Sequence, residues 1–463
     1  MTGKRVGDFE IVDVYDIKQE QYEDFSYDHD DFTYWREGET MYTAEEYRYE
    51  LFGDLEPGQE FTAFKYLGDD EHVVIPDVAT QLAGCLFEGN KKIKSVTIPD
   101  SVKEINYGVF KDCTALEEVR FGKNVTEISG YVFSGCTSLK KIEIPETVKV
   151  IRNEAFFGCS ALTEINIPDS VTHLGPSALE GCTALSRVRL GSGLTYIGNH
   201  AFADCISLKE ITLPQSLEQV DIHAFKGSGV RELYIPKNVR SVGSGSSTST
   251  RNLKKIEVDP DNPHFMCKNN CLIHKSSGML DAMADGYKLP DDGSIKEIWH
   301  WAFCGDDDLT EMDIPEGVTR LYHSVFAGCK NLRRVRLPST LEVIGEQDFD
   351  GCTALEEIVI PGNVKEVGYR AFVYSGIKKV IIKRGVKVLG MDAFNHCKSL
   401  VEAYIPSSVC HIEGGPFDGE LFADCNENLC VYMEKYDNGA HEYFARFLGD
   451  VKVKFIDKDE IFD

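Results

Sequence analysis

Four residues have the types and spacing for metal chemistry: His264, Cys267, Cys271 and His274. Imidazole and thiolate are the usual ligands of tetrahedral zinc, and these four stand close together in the chain. Cys271 to His274 falls in a predicted strand, however, where residues three apart face opposite sides, so a plain hairpin with free thiols is the competing reading. The run Asp28-His29-Asp30-Asp31 has cation-binding side chains, but the stronger reading is a solvated loop. His441-Glu442 lacks the second histidine of a zinc protease helix, and no phosphate loop, Gly-x-Gly-x-x-Gly or Gly-x-Ser-x-Gly occurs. The chain therefore reads as a non-enzyme with no cofactor. Its alternative is an enzyme or metal-dependent effector with chemistry in the N-terminal segment or the inserted hairpin. Asn124-Val125-Thr126 has the form of a glycosylation sequon and lies inside a repeat.

The elements that position these residues come from one recurring unit. The leading apolar residues are Ile93, Leu116, Leu139, Leu162, Leu185, Leu208, Val230, Leu253, Leu309, Leu332, Leu355, Ile377 and Leu400, in steps of 22 or 23 residues except for one of 56. A fixed period of this size marks a solenoid. One unit reads Leu139, Ile142, Ile144, Pro145, Val148, Ile151, Ala155, Phe156, Gly158, Cys159. Leu139, Ile142 and Ile144 point inward from a short strand that Pro145 ends, since proline cannot donate to a ladder. Val148 and Ile151 line a second side, and Ala155-Phe156 closes a third. A single coil orders too much backbone for the apolar surface it buries. Stability must therefore come from stacking, which builds one parallel sheet along the array.

Stacking turns repeat positions into columns. Two residues after each leading apolar the column reads Glu118, Lys141, Glu164, Arg187, Glu210, Glu232, Lys255, then Glu311, Arg334, Glu357, Lys379, Glu402. Its signs alternate almost throughout, which predicts a ladder of opposite-charge neighbours that stabilises the sheet. The other outward column includes Tyr234, Arg336, Val359, Ile381 and Tyr404. Adjacent coils place Val359, Ile381 and Tyr404 side by side, and exposed apolar groups rimmed by charge mark an interface, so these three and Tyr234 are the candidate binding residues. Contact with the C-terminal end of the array is the structural alternative.

Lys and Arg total 49 against 76 Asp and Glu, a formal charge of -27. That balance argues against nucleic acid or an anionic membrane as partner. No apolar run is long enough to span a membrane and none follows the basic residues near the start, so the sequence as given reads as cytoplasmic. Nine of the 15 cysteines occupy one repeat position three residues after the aromatic, which suits small buried groups with reduced thiols better than bridges.

The expected organisation has five parts. Residues 1–62 are an acidic, aromatic-rich α+β cap, with 5 Lys and Arg against 18 Asp and Glu, and with a capping box at Thr43 and Glu46 flanked by Tyr42 and Tyr47. Residues 63–243 are the first repeat block, 244–294 a Gly/Ser loop and β-hairpin insertion, and 295–428 the second block. Residues 429–463 form a helix–strand cap, with Ala440, Tyr443, Phe444, Phe447 and Leu448 at helical spacing and Val451, Val453 and Phe455 alternating.

The recurring Ala-Phe-x-Gly-Cys-x-x-Leu-x-x-Ile-x-Ile-Pro unit, over about residues 64 to 456, resembles the BspA-like leucine-rich repeat family. The resemblance implies a bacterial or protist leucine-rich-repeat solenoid. It also implies a protein-binding or adhesion role toward host or matrix proteins, and a cell-surface or secreted location as the alternative to the cytoplasm.

Overall fold

In the computed structural model the described residues are 5–6, 9–12, 63–66, 68–243, 252–413, 420–435, 447–449, 451–457 and 461. The chain divides into two compact units, Met1–Arg231 and Glu232–Asp463.

The first unit opens on a three-stranded antiparallel sheet of Arg5–Val6, Phe9–Val12 and Ala63–Tyr66, with Phe9 opposite Tyr66 and Val12 opposite Ala63. The capping box at Thr43 and Glu46, the flanking Tyr42 and Tyr47, and the Asp28–Asp31 run lie outside the described residues. From His72 onward each coil places one strand in each of two parallel ladders. The wider strands are His72–Val74, Ser95–Thr97 and Glu118–Arg120, then Lys141–Glu143, Glu164–Asn166 and Arg187–Arg189. The narrower ladder runs from Gln81–Leu82 through Glu104–Ile105, Glu127–Ile128, Val150–Ile151, His173–Leu174 and Tyr196–Ile197 to Gln219–Asp221. The expectation of one parallel sheet is corrected here: the side lined by Ile151 also pairs backbone to backbone. The wide ladder is not continuous either: Glu118–Arg120 and Lys141–Glu143 fall in separate sheets, and the coil Leu208–Leu213 forms no strand.

The third side is built from stacked rings. Phe87, Phe110, Phe133 and Phe156 lie 5.2–5.4 Å apart at 4–12° between planes. The coil turns sharply before each ring, and Glu154 (φ 52°) adopts a left-handed conformation just ahead of Ala155. Gly158 (φ 68°) repeats that conformation after the ring, which explains the glycine of the unit. The cysteine that follows is more than a small hydrophobe. Cys136 Sγ donates to the Phe110 carbonyl at 3.1 Å, Cys159 to Phe133 at 3.1 Å and Cys182 to Phe156 at 3.2 Å, so each thiol satisfies the ring residue of the coil before. Burial pushes the Cys113 and Cys205 thiols up to about 12, and all fifteen cysteines are unbridged.

The second unit begins with Glu232–Ile235 paired in parallel with Lys255–Val258. An antiparallel insertion follows: Phe265–Lys268, Cys271–His274 and Met279–Met283. Its first turn is Asn269-Asn270, both left-handed (φ 50° and 62°), as a two-residue hairpin requires. Met279–Met283 then pairs in parallel with Glu297–Ile298, which starts a narrow ladder through Arg320–Leu321, Val343–Ile344, Glu366–Val367, Val388–Gly390 and His411–Glu413. The wide strands are Glu311–Asp313 with Arg334–Arg336. Beyond these comes a five-stranded parallel run: Glu357–Ile360, Lys379–Ile382, Glu402–Ile405, Cys430–Glu434 and Lys452–Ile456. Phe303, Phe326, Phe349, Phe372, Phe394 and Phe422 stack at 4.9–5.6 Å.

Helix is almost absent among the described residues. Of the helix expected at the C-terminal end, Phe447 and Leu448 are described, Leu448 being buried, and Ala440, Tyr443 and Phe444 lie outside the described residues.

Candidate interaction face

The strand Glu357–Ile360 alternates outward and inward, so Ile358 and Ile360 enter the core while Glu357 and Val359 face out. Pairing then sets a row across the sheet: Val359 opposite Ile381, Ile381 opposite Tyr404, Tyr404 opposite Tyr432 and Tyr432 opposite Lys454. The three residues expected to lie side by side do so, but they are not equally open. Val359 is 41% exposed and Ile381 only 8%. The half-buried Tyr404 stacks on Tyr432 at 4.7 Å and 8°, its hydroxyl donates to Glu402 at 3.3 Å, and the Lys379 ammonium lies 5.5 Å over its ring. Burial and the nearby Glu402 carboxylate push the Tyr404 phenol up to about 12. Two strands past Glu402–Ile405, one of them absent from the sequence reading, cover the far end of the row and leave Val359 as its exposed apolar group.

Tyr234 is 42% exposed, but it stands in the separate two-stranded sheet, where its hydroxyl donates to Asp259 at 2.9 Å. It is not part of the row.

Beside Val359 the face sinks into a depression of about 1060 Å³. Its walls carry Arg333, Arg334, Arg336, Lys383 and Arg384 against Glu356 and Glu357. Arg334 is held by Glu311 at 2.9 Å and Asp313 at 3.2 Å. Arg384 bonds the solvent-inaccessible Glu434 at 2.8 Å, and Ser407 donates to the same carboxylate through both its backbone N–H and its hydroxyl. Burial pushes the Glu434 carboxyl up, but Arg384 and Ser407 outweigh it and hold the group down to about 2. Lys383 donates to the Ile461 carbonyl at 2.9 Å, which fixes its ammonium without neutralising it. Arg333 and Arg336 are exposed and make no ion pair among the described residues.

This cluster escaped the sequence reading because its members come from five positions of the repeat. Arg336 stands in the column of Val359 and Arg334 in the alternating column. Arg333 precedes them, and Lys383-Arg384 follows the next strand but one. Summing charges over adjacent coils, instead of along one column, is the signal that finds it.

The four metal-candidate residues are not brought together. Phe265 is opposite His274, Cys267 opposite Leu272 and Lys268 opposite Cys271. Cys267 Sγ donates to the Ile256 carbonyl at 3.1 Å, while Cys271 Sγ lies 3.7 Å from the carbonyls of Asn269 and Lys288. The His264 and His274 rings are 6.4 Å apart, and among the described residues no three His, Cys, Asp or Glu side chains converge on a metal position.

The expected charge ladder is present in part. Arg187 reaches across to Glu164 at 3.0 Å and Arg334 to Glu311, whereas Lys141 and Lys255 turn along their own strands to Glu143 and Glu257.

The model of the BspA type leucine rich repeat region matches residues 60–186, 175–271 and 289–426. The chain belongs to the BspA-type leucine-rich repeat family. The chain is similar to several solved structures, the first of which shares its fold. A leucine-rich cell surface protein from Faecalibacterium prausnitzii is 23% identical over 77% of this chain and 91% of its own, with a TM-score of 0.51. A leucine-rich repeat protein from Bacteroides ovatus is 24% identical over 87% and 97%, with a TM-score of 0.46. The pneumococcal vaccine antigen PcpA is 18% identical over 88% and 96%, with a TM-score of 0.48. No curated protein matches the chain. Among the described residues of this BspA-type chain no helix is long and apolar enough to cross a membrane.

Proposed function

We propose that the chain is a non-enzymatic protein-binding scaffold whose recognition surface is the outward face around Val359, with Ile381 and Tyr404 as its supporting floor. One observation carries this reading: Val359 is 41% exposed on the first strand of a five-stranded parallel sheet, beside a depression rimmed by cations. An apolar group with a charged rim, held on strands that cannot rearrange cheaply, is the usual anatomy of a protein-binding patch. A role at the cell surface, in adhesion to host or matrix proteins, is supported by the family and by the description of the Faecalibacterium relative as a cell surface protein.

The test is a photo-crosslinking residue at Val359, with the same residue at the exposed Ile206 as control. A discrete protein adduct formed from the Val359 position and not from Ile206 is the expected result. Equal or absent adducts at the two positions sink the reading.

A further inference from the structure

We infer that the depression beside Val359 takes an extended acidic peptide segment carrying at least one aliphatic side chain. The inference rests on the protein-binding reading and names the chemistry of the partner. The chain as a whole has a formal charge of -27, so most of its surface repels anions. Here the balance reverses locally. Five cations line the depression against two carboxylates, and three of the five, Arg333, Arg336 and Lys383, are not neutralised by any ion pair among the described residues. Glu356 is already engaged by Lys378 at 3.0 Å, which removes one of the two competing carboxylates.

Three of the five cations are also held in place. Arg334 and Arg384 are fixed by their carboxylates and Lys383 by the Ile461 carbonyl, so little side-chain freedom is lost when an anion arrives. Arginine clusters of this kind recognise carboxylates by paired N–H donors. The floor discriminates among anions. Val359, Leu337 and Pro361 offer apolar surface that an aliphatic side chain covers and a sulfated sugar or a phosphate backbone does not.

The experiment is fluorescence anisotropy with the full chain and a fluorescein-labelled decapeptide of glutamates around one central leucine. A glutamine–leucine peptide of the same length and a heparin decasaccharide serve as comparison probes. The glutamate peptide is expected to bind, to weaken about tenfold between about 0.05 M and about 0.5 M NaCl, and to weaken about tenfold again in Arg336→Glu or Arg333→Glu. Both arginines are exposed, so these variants should keep the parent melting temperature, and Lys149→Glu controls for net charge. No binding, binding insensitive to both reversals, or tighter binding of heparin than of the peptide each overturns the assignment. If Val359 still crosslinks a protein while the glutamate peptide fails to bind, the partner has other chemistry and the scaffold reading stands without this inference.

Discussion

The two units carry the same kind of depression on the same kind of sheet, and their side chains treat charge in opposite ways. In the first unit a hollow of about 770 Å³ lies over the strands Lys141–Glu143, Glu164–Asn166 and Arg187–Arg189. Each of its cations is spoken for. Lys141 is 2.8 Å from Glu143 and Arg187 is 3.0 Å from Glu164, while Arg189 reaches both the Asn166 amide oxygen and the Asp169 carboxylate. Every outward residue on those three strands is polar. In the second unit the outward positions include Val359, and cations outnumber carboxylates. The backbone of the repeat is common to both, so binding character is decided by which residues occupy its outward positions. A solenoid with sound packing can be inert on one stretch and sticky on another.

The sharpest test of that contrast compares one ion pair from each unit. Glu434 is solvent-inaccessible and bonded to Arg384 and Ser407, so Glu434→Ala leaves a guanidinium without its partner and should cost about 3 kcal/mol. Glu164 and Arg187 are exposed, and Glu164→Ala should leave the unfolding midpoint where it is. Urea titration followed by fluorescence of Trp299 and Trp301 reads the first change. Equal effects in the two variants would mean that the second unit's cations are no better held than the first's. The Glu434 carboxyl is depressed from its ordinary 4.5 to about 2. Its contribution is therefore complete above about pH 4.5 and lost as pH falls toward 2, and Glu434→Ala should lose that acid-side slope.

The second contrast lies in the core. In the first unit the residue before the ring is small in Ala155, Ala201 and Ala224, all buried. The second unit keeps alanine there in Ala302, Ala371 and Ala393, but one of its coils holds Asp348, fully buried, accepting from Val325 N–H at 3.0 Å and from Gly345 N–H at 2.6 Å. The acid takes a donor away from the ladder. Gly198 donates to the Leu174 carbonyl and Gly368 to the Ile344 carbonyl, whereas Gly345 turns to Asp348 and the Ile344–Leu321 pairing is missing. Burial pushes the Asp348 carboxyl up from 3.8 to about 8, against the pull of the two N–H donors. A raised folded-state value makes the contribution of Asp348 greatest below about pH 4, and that contribution is lost as pH rises through 8. Asp348→Ala should flatten that slope and raise the melting temperature by about 2–4 °C at about pH 9, read by calorimetry. A variant less stable than the parent at that pH would show that the two N–H bonds outweigh the buried charge.

How much of this was legible follows from which signals are local. The unit from Leu139 to Cys159 carries its own strand, turn, ring and thiol, so the repeat and its family were readable from period alone. The row Val359–Ile381–Tyr404 was readable too, because register repeats with the coil. Its exposure was not, since covering Tyr404 depends on Tyr432, in a strand after Glu402–Ile405 that lies outside the 22-to-23-residue rhythm. The narrow ladder escaped because two-residue strands such as Val150–Ile151 have no alternation to detect. The Phe265–Lys268 strand escaped because its Asn269-Asn270 turn was not recognised. The basic depression required summing over five columns, of which the sequence reading follows two, one at a time.

The smallest expected effect tests whether surplus charge alone makes a site. Glu164→Gln combined with Asp169→Asn removes the carboxylates facing Arg187 and Arg189, while an asparagine oxygen at 169 can still accept from the Ser192 N–H. Both positions are outward and solvated, so folding should be unaffected. The first unit then has two unpaired guanidinium groups over a hollow of comparable size, but no exposed valine at its floor. Weak, strongly salt-dependent capture of the glutamate peptide by this double variant is expected, measured as the gain over a parent that carries Arg333→Glu and Arg336→Glu together to weaken the second unit's site. Adding Asn166→Val, which places an aliphatic group where Val359 stands in the other unit, should tighten it about threefold. If the valine adds nothing, the aliphatic part of the recognition is wrong and only the electrostatic part survives. If the double variant already binds as tightly as the native second unit, pre-positioning by Glu434, Glu311 and the Ile461 carbonyl contributes nothing, and the difference between the two units reduces to counting charges.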